Sequence, residues 1–389
     1  MTRPKVLIAG VYTCTDAYPN VKYRIQKIKE FSEISSEEFN AGTPKKVNYQ
    51  TKTGQILSLM SMALSLILAN TKALIHIARQ RKHFDTLYIP YPAIPLLWLI
   101  SLLPPPLRPQ RIVADVFISL YDTVVIDRKI LTKKNWLARV VWRIERRALL
   151  VSTISITDTP ENSQYYSQLF EINHEKFSDL PLSIVRNQFI PSSYDINQPR
   201  IGLRVLFIGT LVPLHGIEIL CQAIEMLDNE SRATFTFVGN GQQSNVLDRF
   251  LKRQLTLRTK IDCHWIKEWQ DSQSLAKLVR EADICVGILN PKGKSQRVWP
   301  FKNYLYMACG RPLITTRSPT SIRLSKKADY PAFFEVDTHS SEPLAKLLKS
   351  LIEDRTALSS MGENSRQFYD SFLSEKYIEN KLMEHLCSE

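Results

Sequence analysis

From residue 204 onward the chain alternates between two patterns that rarely alternate by chance. Short apolar runs rich in β-branched and aromatic residues are each followed by a helical segment: "RVLFIGT", then 215–227; "ATFTFVGNG", then 244–255; "KIDCHWI", then 272–282; "DICVGIL", then a basic loop and another helix; and finally "RPLITT" and "AFFEV". Continuous rather than alternating apolar strands belong to sheets covered on both faces, and strand–helix alternation at this spacing makes the sheet parallel and doubly wound.

The first part of the chain repeats the plan less clearly. "KVLIAG", "TLYIPYP", "RIVADVF" and "STISITDT" read as strands, and helices are expected near 21–30, 134–150 and from Pro160, where Thr159 is placed to cap and proline to occupy the first helical position. The polar segment 32–53 reads as loop-rich. The apolar segment 56–78 is interrupted by serines, Asn70 and Lys72, so it reads as a buried helix rather than a membrane span. A linker rich in Pro, Ser and Asn follows residue 189. The expected architecture is α/β, two Rossmann-like domains facing across a cleft, with domains at 1–195 and 196–370.

With 389 residues the chain suits two domains, and 44% hydrophobic and 23% charged residues exclude a disordered chain. A net charge of +13 implies a polyanionic neighbour. Residues 1–195 hold 25 Lys and Arg against 16 Asp and Glu, and the remainder 26 against 22, so the surplus lies mainly in the first part. No nucleic-acid module or aromatic–basic stacking pattern accompanies the charge, so no nucleic-acid partner is expected. The six cysteines form no CxxC pair and read as free thiols of a reducing cytoplasm. The opening residues run straight into a strand, so no leader is expected.

In open α/β sheets a ligand lies beyond the carboxyl ends of the strands. Lys302, in "WPFKNYLYMACGRPLIT", falls there at a helix start, where free amide groups and a full charge together favour a phosphate or diphosphate. The turns 209–216 and 238–243 have glycines that permit close backbone approach. Gly239-Asn-Gly241 lacks the third glycine of a dinucleotide fingerprint, which argues against a dehydrogenase.

Taken together, "FIGTLVPLHGIEIL", "ATFTFVGNGQ", "HWIKEW", "LVREADICVGIL" and the Lys302–Gly310–x–Pro312 run resemble the donor domain of retaining GT-B glycosyltransferases. The nearer likeness is to glycosyl transferases group 1 (family 4). The resemblance covers about residues 200–390; "DVFISLYDT" and "TDTPENSQYY" extend it loosely to the first part. It implies sugar transfer from a nucleotide sugar with retention and no obligatory metal or other cofactor. No Asp-x-Asp pair or metal-spaced His/Cys set is present. It also implies a C-terminal helix, 371–389, crossing back to the N-terminal domain.

By the same resemblance Lys302 contacts the donor diphosphate, and Gly209, Thr210, His215 and Gly239 form turns beneath it. Trp265, Ile266 and Glu268 lie near the base, and Asn303 and Tyr304 face the phosphates. Many relatives have Arg and Lys where this chain has Thr210 and His215, and two glutamates where it has Arg297 and Leu305. The alternative reading, a weak or inactive homologue that binds sugar nucleotide or glycan in an assembly complex, follows from those departures.

Asp115 and Asp122, at and after a strand end, are candidates to orient an acceptor hydroxyl or take its proton. Arg24 reads as a solvated helix residue or a contact for an anionic acceptor. Arg139, Arg143, Arg146 and Arg147 make the helix from Trp136 basic and amphipathic, suited to an anionic membrane surface. The expected partners are therefore a nucleotide sugar, a cell-envelope glycan or lipid-linked acceptor and an anionic membrane, with the chain in the cytoplasm, peripheral on the inner face of the plasma membrane.

Overall fold

The computed structural model describes residues 3–15, 18–42, 52–184, 189–191 and 202–387. The chain forms two compact units, one of residues 1–183 with 376–389 and one of residues 184–375.

In the first unit, strands β1 (Lys5–Gly10), β2 (Ser35–Asn40), β3 (Thr86–Ile89), β4 (Arg111–Asp115), β5 (Ile154–Thr157) and β6 (Phe177–Asp179) form one sheet in the order β2-β1-β3-β4-β5-β6. Every pairing is parallel. Helices α2 (Lys52–Gln80), α3 (Ile94–Leu102), α4 (Trp136–Val151) and α5 (Pro160–Phe170) share one apolar core on one face. Helix α1 (Pro19–Glu30) and the last helix of the chain, Glu375–Cys387, share a second core that includes Ile378, Leu382 and Leu386. That last helix is tied down by polar contacts too: Tyr23 Oη donates to Glu379 at 2.9 Å, Lys381 pairs with Asp179 at 3.0 Å, and Arg111 donates to the His385 carbonyl at 2.9 Å.

Three expectations are corrected here. The segment 32–53 is not all loop, because it contains β2. That strand, "SSEEFN", is mostly exposed and carries no apolar alternation; its backbone pairing to β1 alone defines it. The segment 56–78 is not a buried helix throughout: Leu64, Ile67, Leu68 and Ile75 of α2 are exposed. Arg24 is not solvated. It is fully buried, paired with Asp115 and donating to the carbonyls of Leu180 and Pro181 at 3.0 and 3.2 Å.

The second unit contains β7 (Leu203–Ile208), α6 (Ile217–Glu225), β8 (Ala233–Val238), α7 (Ser244–Gln254), β9 (Ile261–Ile266), α8 (Ser272–Glu281), β10 (Ile284–Val286), α9 (Phe301–Ala308), β11 (Leu313–Thr316), α10 (Pro319–Ser325), β12 (Phe334–Val336), α11 (Glu342–Glu353) and α12 (Thr356–Phe372). Its sheet, order β12-β11-β10-β7-β8-β9, is again parallel. The order reverses between β7 and β10, and a ligand of such a sheet binds at that switch point, outside the carboxyl strand ends.

The run after Lys302 acquires a structural reason at its far end. Gly310 takes φ +66° just past α9, where a side chain would be strained. Buried Arg311 then donates to the Arg280 carbonyl at 2.5 Å and so closes the end of α8.

Removing one partner of the Arg24–Asp115 pair leaves an uncompensated buried charge, whereas removing both does not. Arg24→Ala is expected to lower unfolding free energy in urea by about 3–5 kcal/mol. The double change Arg24→Met with Asp115→Leu is expected to cost less than that single change.

Candidate active site

The switch point of the second unit is lined by the turn after β7 and the start of α9. Tyr306 fixes one against the other: its hydroxyl accepts the Ile208 amide proton at 2.9 Å, tying α9 to the end of β7. Four residues, about one turn, earlier on the same helix, Lys302 is carried to the end of β7, where its Nζ lies 4.0 Å from the centre of the Phe207 ring. Phe207 was not legible as a site residue, because within "RVLFIGT" it reads as core.

Lys302 is 5% exposed, and its ammonium nitrogen is buried without a hydrogen-bond partner among the described residues. Burial holds its pKa well below the ordinary 10.5. Asn303 is fully buried, and both atoms of its amide are likewise unpartnered. Pro300, preceding the helix, supplies no side-chain cap. Buried polar groups in native proteins are nearly always satisfied, so a lysine and an asparagine left open at one helix start mark a place for a ligand with acceptors. Tyr304 is enclosed in the fold at 1% exposure.

The glycine turns close on this lysine. Gly209 takes φ +151°, and a Cβ there would stand 2.8 Å from the His215 ring and 3.5 Å from Lys302 Nζ. A Cβ on Gly239, at φ +120°, would stand 2.3 Å from the Gly209 carbonyl oxygen. Only glycine fits at either position. The His215 Nδ1–H donates to the Thr210 carbonyl at 2.5 Å, and burial together with the Lys302 charge lowers its pKa to about 3. His215 is therefore neutral, with Nε2 unprotonated. Trp265 donates from Nε1 to the Gly239 carbonyl at 2.8 Å, and Ile266 accepts the Gly239 amide proton at 2.9 Å. The structure thus links Lys302, Gly209, Thr210, His215, Gly239, Trp265 and Ile266 through consecutive contacts. Glu268 is exposed beyond them, followed by Trp269, the last residue of "HWIKEW", at 88% exposure.

Arg297 and Leu305 are both buried, and no carboxylate occupies either place. Among the described residues no group of three His, Cys, Asp or Glu side chains could hold a metal ion.

Asp115 and Asp122 lie in the first unit, and neither is the open carboxylate that was expected. Both are fully buried. Asp115 is committed to Arg24 and accepts from the Tyr88 hydroxyl at 2.6 Å. Asp122 opens a π-helical turn (Asp122–Asp127) and accepts from the Tyr165 hydroxyl at 3.1 Å. Glu145, the one carboxylate of α4, is buried; its two oxygens accept the amide protons of Leu120 and Tyr121 at 3.0 and 2.7 Å and so anchor that turn. Burial pushes its pKa up to about 7.

Residues 202–354 match the family model of glycosyl transferases group 1. The match lies within the second unit. Its matched stretch contains the whole set of contacts around Lys302. Solved structures resemble the chain over nearly its full length. HepE from Anabaena, in complex with UDP and glucose, has a TM-score of 0.65 at 13% identity, covering 99% of this chain and 100% of that one. Sucrose-phosphate synthase from Thermosynechococcus elongatus has a TM-score of 0.69 at 13% identity, covering 98% of each chain. WaaG, a glycosyltransferase involved in lipopolysaccharide biosynthesis, has a TM-score of 0.60 at 13% identity, covering 99% of this chain and 100% of that one. At such identities the likeness is one of fold, and the fold is that of GT-B glycosyltransferases. No curated protein matches the chain.

If Lys302 is a buried group without a counterion, it destabilises the ligand-free protein. Lys302→Met, similar in shape and uncharged, is expected to raise thermal stability at neutral pH. The gain is about 1.4 kcal/mol for each unit by which the lysine pKa is depressed. Because the unfolded chain binds that proton more readily, wild-type stability rises with pH and the gap closes as pH approaches 10.5. Thermal unfolding of both proteins across pH 7–10 checks this.

Proposed function

We propose that the chain is a glycosyltransferase that moves a sugar from a nucleotide-sugar donor to a cell-envelope glycan or lipid-linked acceptor, with retention at the anomeric carbon. One observation carries the reading: the unpartnered Lys302 ammonium group, buried at the switch point between the glycine turn of β7 and the uncapped start of α9. A nucleoside diphosphate supplies what this place lacks. As the glycosidic bond breaks, negative charge gathers on the leaving diphosphate, and a preformed cation with nearby amide dipoles stabilises it without reorganisation. The group 1 match over the same residues and the UDP carried by HepE agree with a nucleotide donor.

The nucleoside is assigned to the β8–β9 side, where Gly239 and Trp265 line the edge of the site and Trp269 stands open. Asp115 and Asp122 are not assigned the acceptor's proton, since both carboxylates are enclosed. A place of action on the cytoplasmic face of a membrane is supported by the exposed cations of α4, Arg139 and Arg143. No helix among the described residues is long and apolar enough to cross a membrane.

Loss of one preformed donor to a developing oxyanion typically costs about a hundredfold or more in rate. Release of UDP from UDP-sugars, in the presence of a membrane extract as acceptor source, is expected to fall by about that factor in Lys302→Ala. UDP stabilisation in a thermal-shift assay without any turnover would instead establish the binding homologue. Turnover unchanged in Lys302→Ala would remove the proposed site.

A further inference from the structure

The apolar stripe of α2 should lie in the core by its composition, and it does not. Leu64, Ile67, Leu68 and Ile75 are 46–59% exposed and fall within one arc of the helix, while Asn70, Ala73 and Ile77 on the other side are buried. Helix α4 has an outward arc of related character. Trp136, 69% exposed, shares it with Val140, Arg139 and Arg143; Ala138, Glu145, Ala148 and Leu149 face inward. Apolar and cationic side chains therefore occupy the same face of α4 rather than opposite faces. Arg146 and Arg147 are tethered: Arg146 donates to the Phe170 carbonyl at 2.8 Å and Arg147 to the Ser101 carbonyl at 3.2 Å.

The two stripes belong to one layer. Helices α2, α3 and α4 pack into a common core on the same side of the sheet, so their outward arcs face away from it together. Leu102 at the end of α3 is exposed as well. The exposed charge carried by α2 from Leu64 onward and by α4 has one sign. Between Leu64 and Gln80 there is no Asp or Glu, and between Trp136 and Val151 the sole carboxylate is buried Glu145. Lys72, Arg79, Arg139 and Arg143 are exposed among the apolar groups.

We infer that the outward faces of α2 and α4 form one docking surface for an anionic lipid bilayer, in which the α2 stripe enters the acyl boundary and the cations meet headgroup phosphates. This inference rests on the membrane location proposed above and names the surface that produces it. A second copy of the chain is the poorer occupant, because self-docking would press like charges together without a carboxylate to answer them. An aromatic side chain, branched aliphatics and cations on shallow helical arcs suit a bilayer interface, where each cation and each buried methylene adds to the affinity.

The full-length protein is sedimented with vesicles of phosphatidylcholine and with vesicles containing 30% phosphatidylglycerol as probe. Wild type is expected to bind the anionic vesicles and not the neutral ones at low salt. Arg139→Gln with Arg143→Gln is expected to weaken binding by roughly 25-fold, about fivefold per cation. Ile67→Ser with Leu68→Ser is expected to weaken it at least about tenfold and to do so in high salt as well, where an electrostatic contribution fades. All four positions are exposed, so circular dichroism and the thermal shift given by UDP should match wild type. Absence of wild-type binding to anionic vesicles overturns the inference. So does retention of full binding by the α2 pair, or a wild-type dimer in light scattering that becomes monomeric in that pair. Loss of the UDP shift in wild type would count against the donor reading instead, and would leave the vesicle result to stand on its own.

Discussion

A buried lysine ammonium group with no hydrogen-bond partner or counterion among the described residues is the interaction around which the second unit is arranged. Its energy is unfavourable while the site is empty, and the fold accepts the cost at one place. The Phe207 ring provides a partial electrostatic answer through its π face, which is weaker than any ion pair. The Tyr306–Ile208 hydrogen bond, the Gly209 turn and the neutral His215 all keep the ammonium group at the switch point and keep other acceptors away from it. In the proposed reading a diphosphate supplies the remaining attraction and would restore solvation to lysine and asparagine at once.

The second unit was legible because its strands are buried on both faces. "RVLFIG", "ATFTFV" and "ICV" are written in β-branched and aromatic residues with helical segments between them, and a parallel sheet has few other ways to satisfy such a pattern. Lys302 was legible for a related reason: a lone cation in an otherwise apolar run at a helix start conflicts with core packing, and local conflicts of this kind collect at functional sites. The glycines of the β7 and β8 turns followed from strand ends alone.

The first unit was less legible because several of its decisive residues act by tertiary contact. β2 has the composition of a loop, and its pairing with β1 is a backbone matter that side chains do not announce. Arg24 looks like any arginine on an amphipathic helix until Asp115, 91 residues away, and the Leu180 carbonyl are seen to enclose it. Asp122 and Glu145 illustrate the same limit in opposite directions. A carboxylate after a strand end reads as a catalytic group and proves to be internal. The glutamate among the arginines of α4 holds two amide protons of the turn after β4, a role its sequence neighbours do not announce. The α2 stripe is the converse case, since hydrophobicity indicates a face that avoids water without saying whether protein or lipid covers it.

The central claim is tested most directly by calorimetric titration of UDP into the ligand-free protein at pH 8–9 in two buffers of different ionisation enthalpy. If Lys302 is the diphosphate ligand, the buried amine has a depressed pKa when the site is empty and an ordinary or raised one beside the phosphates. Binding should then draw a proton from the buffer, and the uptake should vanish, with most of the affinity, in Lys302→Met. Tight UDP binding with no proton exchange in wild type and equal affinity in Lys302→Met would contradict the account.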